Sequence, residues 1–310
     1  MSQTTRKSGA GPHLALIAVQ LIFGTWGIPG KIVLQVMPVF GLSALRIAGA
    51  AAMLAVICKV RGGMGRISKK DWLLLVVCAL LGVVFNQWLF ATGLTLTTVV
   101  NSVLISTTIP VFTLLIGALL GTERASLRRL IGIGLAAAGV VCLISPARAD
   151  LASGSRLGDL LILASALMYG AYIALSKRLV HSYGALTATT WIFIVAVLPT
   201  APIGAAATLH TSFANVHLSF WLATIYILLI PTVLAYYLNA WALSRVAPST
   251  VAVYIYLQPL IAFALAPIML GESLGLRAVV ASLLIFAGVL IVTWRSSNKS
   301  ADQVEVLETV

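Results

Sequence analysis

A pattern of residues recurs in this chain at a nearly fixed distance. Pro110 and Pro259, Glu123 and Glu272, Leu127-Arg128 and Leu276-Arg277, and Ala138-Gly139-Val140 and Ala287-Gly288-Val289 all stand 149 positions apart (259 − 110). Nearer the start the offset is 146 (170 − 24): Gly24 aligns with Gly170, Trp26 with Tyr172 and Lys31 with Lys177. A three-residue length change in the intervening loops accounts for the slip. The chain therefore folds as two related halves.

Each half is apolar enough to lie in lipid. Hydrophobic residues make up 60% of the chain and charged residues 9%, against about 25% charged in a soluble domain. Ten runs near the ~20 residues that cross a bilayer as a helix are read at about 13–35, 40–58, 72–93, 99–121, 128–145, 158–179, 185–205, 219–241, 249–270 and 275–294. The expected fold is all-α: a polytopic membrane protein of ten transmembrane helices in two five-helix repeats. Five is odd, so the second repeat enters the membrane from the opposite side. An inverted repeat suits alternating access around a site between the halves.

The expected segments are a cytoplasmic tail (1–12), a first repeat (13–145), a linker (146–157), a second repeat (158–294) and a cytoplasmic tail (295–310). The linker is drawn from the turn-rich stretch Ser145–Asp159. The basic run before the first span resembles a signal peptide. However, no small-residue cleavage site comes after it, and Trp26 and Lys31 have repeat partners, so this span belongs to the fold.

A net charge of +12 invites a nucleic-acid reading. Threading from an inside N-terminus explains it better. Arg6, Lys7, Lys59, Arg61, Arg66, Lys69, Lys70, Arg124, Arg128, Arg129, Lys177, Arg178, Arg245, Arg295 and Lys299 then fall inside. Only Arg148, Arg156 and Arg277 fall in outside loops. This is positive-inside topology with both termini cytoplasmic; the expected surroundings are membrane lipid, with no nucleic acid.

Pro110 and Pro259 each stand about a dozen residues before Gly121-Thr122-Glu123 and Leu270-Gly271-Glu272-Ser273, and the next span in each half carries an Ala-Gly-Val. On these motifs the chain resembles the drug/metabolite transporter superfamily, EamA-type, over about residues 14–294. Thr122 where the second half has Gly271 is a departure that affects a turn. The chain is most similar to the bacterial exporters of aromatic amino acids and paraquat. The resemblance implies a multi-pass inner-membrane exporter of small organic metabolites, with aromatic amino acids as substrates. It implies no enzyme activity. Other amino acids, purines or cationic drugs are the alternative cargoes, and a receptor or scaffold the alternative class.

The residues themselves mark a site. The third span carries Asn86-Gln87-Trp88; its mate, the eighth, carries Tyr236-Tyr237 at the positions of 87 and 88, then Asn239 and Trp241. The fourth carries Asn101 and Ser106-Thr107-Thr108 before Pro110, and the ninth carries Tyr254, Tyr256 and Gln258 before Pro259. Tyr254 and Gln258 share a helix face at i, i+4. Amides in hydrocarbon most often bond helices together. Amides and rings at repeat-equivalent depths point instead to a cavity. The expected lining is Trp26, Asn86, Trp88, Asn101, Tyr172, Tyr236, Tyr237, Tyr254 and Gln258: rings for a flat side chain, amides for the α-amino and α-carboxylate groups.

Lys31 and Arg46 are the basic residues that fall in or near spans on the outer side. Steering of a substrate carboxylate competes there with snorkelling to the interface, which is the favoured reading. Pro110 and Pro259, read as interior to helices, are expected to act as hinges or static kinks. Glu123 and Glu272 stand at span ends, where carboxylates suit the start of the next helix. Asp71, Asp150 and Asp159 also lie at span edges or outside, so no proton relay is visible. Cys58, Cys78 and Cys142 lack metal-ligand spacing, and no cofactor is implied.

Overall fold

In the computed structural model, the described residues are 10–121, 155–214, 216–246, 248–258 and 275–293, with isolated positions at 127, 131, 132, 134, 135, 138, 139, 142 and 268. Among them seven helices are long and apolar enough to cross a membrane. They are α1 (Ala10–Leu34), α2 (Val39–Val60), α3 (Lys69–Leu96), α4 (Val99–Leu119), α5 (Ser155–Tyr183), α6 (Ala185–Thr208) and α7 (Leu218–Leu243). A short helix α8 (Pro248–Val253) runs into a tighter 3₁₀ turn at Tyr254–Leu257, and α9 (Leu276–Thr293) covers the expected tenth span. The expected fifth span lies largely outside the described residues, as do Pro259, Glu123 and Glu272. Leu14, Leu73, Leu119, Leu198 and Leu283 are among many large apolar side chains exposed on the outer surface, and apolar surface on that scale suits contact with lipid.

The halves interlock. α2 packs most extensively on α6, α3 and α4 pack on α5, and α1 packs on α7. In repeat terms α1 is the mate of α5, and α3 of α7. The contact of α1 with α7 is therefore the equivalent of the contact of α5 with α3. Close approach depends on glycine, because lipid supplies no hydrophobic drive between helices. Gly204 of α6 lies against Ala44 and the Phe40 carbonyl of α2, and Gly93 and Gly158 bring α3 and α5 together backbone to backbone. A single residue, Gly184 at φ +80°, joins α5 to α6; that left-handed conformation costs glycine nothing.

α3 and α7 each loosen at mid-span into a π-helical stretch, Leu80–Phe85 and Leu228–Leu234. The two stretches end 149 positions apart (234 − 85) and immediately precede Asn86-Gln87 and Ala235-Tyr236. Such bulges are frequent at functional sites, and they widen the helix and re-aim the side chains of the next turn.

α4 corrects an expectation. Pro110 is not interior to a continuous helix. The chain forms helix at Val99–Ser106, breaks at Thr107-Thr108, and resumes at Ile109–Leu119 with Pro110 in the opening turn. Proline is tolerated there because the first N–H groups of a helix have no intrahelical acceptor. Hydroxyls bind carbonyls through the break: Ser106 to Ser102 (2.7 Å), Thr107 to Leu104 (2.5 Å) and Thr108 to Ile105 (2.7 Å).

Candidate functional site

A cavity of about 100 Å³ lies between the halves. The first half contributes Gln20, Phe23 and Trp26 from α1, Arg46 from α2, Asn86, Gln87 and Phe90 from α3, and Ser106 and Ile109 from α4. The second contributes Ser165, Ala166, Tyr169 and Ile173 from α5, Tyr236 and Asn239 from α7, and Val251, Ile255 and Gln258 from the α8 region.

Twelve of the eighteen lining residues obey the repeat. At the offset of 146, Gln20 pairs with Ala166 and Phe23 with Tyr169. At 149, Gln87 pairs with Tyr236, Phe90 with Asn239, Ser106 with Ile255 and Ile109 with Gln258. Both members of all six pairs face the cavity. It therefore sits where a two-fold relation between the halves would place its axis.

Polar ties cross the cavity from half to half. The Gln258 amide donates to Gln20 Oε1 at 2.6 Å. Asn86 donates to the Ser165 hydroxyl at 2.9 Å, and that hydroxyl donates back to the Asn86 carbonyl at 3.1 Å. Tyr236 donates to the Gly82 carbonyl at 3.1 Å, inside the α3 bulge. Within the second half, Asn239 donates to the Tyr169 hydroxyl at 3.4 Å. Edge-on rings complete the walls: Trp26 on Phe90 at 5.1 Å, and Tyr236 against Phe23 at 6.2 Å and Tyr169 at 6.3 Å.

Arg46 is buried, 6% exposed, and does not snorkel. Its Nε donates to Thr232 Oγ1 at 2.9 Å, and its guanidinium lies 5.0 Å from the centre of the Trp26 ring. Thr232 is itself aimed by the α7 bulge, donating to the Ile227 carbonyl five residues back at 2.7 Å. Trp26 Nε1 and both polar atoms of the Gln87 amide are buried with no protein hydrogen bond of normal geometry, although Gln87 faces the Tyr236 hydroxyl. Each such group costs about 1–3 kcal/mol unless water or a ligand satisfies it.

Trp26, Asn86, Tyr236 and Gln258, of the expected lining, meet at the cavity together with Arg46. The others do not. Trp88 turns to Phe40 (5.2 Å) and Phe85 (6.2 Å). Tyr237 packs against the main core beside Tyr236. Tyr172 tucks against Gly82, whose missing side chain leaves room for its ring, and lies tilted against Tyr169 at 5.5 Å. Tyr254 hydrogen-bonds His13 Nδ1 at 2.7 Å. Asn101 reaches Asp159 at 3.4 Å. Lys31 sits in the last turn of α1, away from the lining. Its mate Lys177 caps the end of α7, donating to the Leu243 and Val246 carbonyls at 2.6 Å each, a favourable place for a cation. Phe23, Phe90, Ser165 and Tyr169 line the cavity without having stood out in the sequence. A signal for two of them existed: Phe23 and Tyr169 lie one turn before Trp26 and Tyr172 at the same offset of 146.

Asp159 is a further difference. It lies near the start of α5, as its sequence position implies, but it is buried, accepting from Thr97 at 2.5 Å and from Asn101. His13 is its repeat equivalent (159 − 13 = 146) and also bonds across to the other half, through Tyr254. At the Arg66 end, Asp71 joins the halves, accepting from Arg178 (2.7 Å) and from the Tyr183 hydroxyl (2.6 Å). The Arg178 side chain is 69% exposed, so its ion pair contributes at most about 1 kcal/mol.

Apolar helices around a buried polar and aromatic cavity are the architecture of a membrane transport protein. The chain belongs to the EamA-like transporter family, which matches residues 11–145 and again 156–294. It is 28% identical over 285 residues to an uncharacterized transporter of Archaeoglobus fulgidus, covering 91% of this chain and 96% of that one. It is 26% identical over 265 residues to a protein of Streptantibioticus cattleyicolor described as a probable terminal-alkyne amino-acid exporter, covering 84% and 86%. A solved crystal structure with 21% identity shares the fold at a TM-score of 0.66, covering 91% of this chain and 97% of that one. The family and these relatives are named as transporters, not enzymes.

Proposed function

We propose that the protein exports aromatic and other hydrophobic amino acids across the bacterial inner membrane by alternating access around this cavity. The observation that carries the reading is the repeat-paired lining, in which rings and amides from both halves face one space. The amino-acid cargo given in the name of the Streptantibioticus relative supports the substrate class. At about 100 Å³ the cavity is smaller than the usual 300–1,000 Å³ ligand site. A ringed solute enters only when the lining helices part, as alternating access requires. In this reading the chain has ten spans in two inverted five-helix repeats, residues 13–145 and 158–294, joined by a linker at 146–157.

The test is initial-rate uptake of radiolabelled Phe, Trp and Ala into proteoliposomes. Replacing Trp26 with Ala removes a ring contact worth about 0.5–1.5 kcal/mol beyond its area. Uptake of Phe and Trp is expected to fall roughly 2- to 12-fold, with Ala little changed. Empty-vesicle rates for all three amino acids would sink the reading.

The proposed orientation has both termini in the cytoplasm. A cysteine introduced at Ala152 is expected to react with an impermeant maleimide added to intact cells, and one at Arg66 to be spared. The reverse pattern would overturn the threading.

A further inference from the structure

We propose that Arg46 is the carboxylate receptor of the cavity, and that the solute must carry a carboxylate but need not carry an ammonium group. This rests on the reading of the cavity as the transport site and narrows what the site takes.

Three observations carry it. First, Arg46 is the one charged side chain among the described lining residues. Its held contacts are Nε to Thr232 and the face of Trp26; among the described residues no carboxylate or carbonyl accepts from its terminal nitrogens. A buried guanidinium without a counter-charge is strongly disfavoured. A planar carboxylate, which the guanidinium fork matches in two-point fashion, supplies that charge. Second, the positions that mate with Arg46 at the two offsets are Ile192 and Val195. The charge has no counterpart in the other half, so it orients the solute. Third, no acid among the described residues opposes it. Asp71 is bound to Arg178 and Tyr183, and Asp159 to Thr97 and Asn101, away from the lining. The other six acids lie in sequence at span ends, in the linker or in the tail. An ammonium group would meet amide and hydroxyl oxygens only, which neither require it nor neutralise it.

The rings and unpaired donors fit this polarity. Trp26 packs against both Arg46 and Phe90 with its N–H unsatisfied, and the Gln87 amide is buried beside the Tyr236 hydroxyl. A carboxylate at Arg46 thus has neutral donors close by and aromatic walls for an attached ring.

The experiment is calorimetric or thermal-shift titration of the purified full-length protein with three probes sharing one ring: 3-phenylpropanoate, L-phenylalanine and phenethylamine. Phenylpropanoate and phenylalanine are expected to bind comparably, with phenethylamine at least about 10-fold weaker. Arg46→Gln is expected to weaken the two carboxylates about 10- to 100-fold, the loss of charge-assisted hydrogen bonds, and not to weaken phenethylamine, from which it removes a like charge. Arg46→Lys should restore part of the loss. Phenethylamine binding as well as phenylalanine to the unaltered protein, a comparison that needs no variant, would overturn the proposal. So would full phenylpropanoate affinity in folded Arg46→Gln. Phenylalanine binding that ignores Arg46 refutes the receptor and leaves amino-acid transport standing. Phenylpropanoate binding without phenylalanine refutes the amino-acid cargo and leaves the receptor. Binding of none refutes both.

Discussion

Gly204→Leu is expected to destabilise the protein by about 3 kcal/mol or more, at the upper end of what overpacking costs. A Cβ at Gly204 would stand 2.2 Å from the Ala44 Cβ and 2.7 Å from the Phe40 carbonyl oxygen. Neither neighbour is a flexible side-chain tip. The helices themselves must separate, and this is the most extensive helix pair among the described residues, joining α2 to α6 across the halves. Ala205 is exposed on the lipid side, so Ala205→Leu is the matched control and is expected to stay within about 0.5 kcal/mol. Thermal unfolding of both variants in one detergent compares them. Equal midpoints would show that α2 and α6 do not approach as closely as described. Because Arg46 sits on α2 and is held by Thr232 of α7, a folded remnant of Gly204→Leu is also expected to bind carboxylates weakly.

Asp159→Ala is expected to cost about 2–5 kcal/mol. It strips the acceptor from the Thr97 hydroxyl and from the Asn101 amide in a buried place, and each orphaned donor costs about 1–3 kcal/mol. Asp159→Asn keeps an acceptor oxygen and should recover much of the loss. A double-mutant cycle of Asp159→Ala with Thr97→Val should show at least about 0.5 kcal/mol of coupling, since the pair shares one bond. A midpoint for Asp159→Ala equal to that of the parent would mean that the carboxylate is solvated and ties nothing. Arg178→Ala has no comparable leverage: its pair with Asp71 is just as short, but water already solvates the cation.

The contrast between these acids shows what a sequence leaves open. Asp71 and Asp159 both read as span-edge residues. Burial of Asp159 comes from Thr97 and Asn101, which precede it by about 60 positions, and no local pattern announces that meeting. Helix phase is the second quantity the sequence withholds. Asn86-Gln87-Trp88 is legible as a polar and aromatic cluster, but not which of the three faces inward. The π-helical turn at Leu80–Phe85 widens the helix just ahead of them. Neighbours on a helix differ by about 100° in direction. Asn86 and Gln87 line the cavity while Trp88 faces Phe40 and Phe85. The same rotation separates Tyr236 from Tyr237. Pro110 departs from expectation for a related reason. A lone proline in an apolar run signals a kink, but the run does not say whether the helix continues through it or restarts at it.

The arithmetic of the repeat was determined by the sequence alone, because side-chain identities at offsets of 146 and 149 are visible without coordinates. Two related halves with a cavity between them are its direct consequences. The aromatic and amide character of that site was legible too, since polar groups in an apolar span need partners that lipid cannot supply. Whether Arg46 escapes to the interface or stays within was decided only by tertiary structure. A long basic side chain can do either, and the choice depends on what the packed helices offer it. Here α7 presents Thr232 and α1 presents the face of Trp26. Those contacts bring together residues up to 206 positions apart (232 − 26), and they exist only once the two halves have closed on each other.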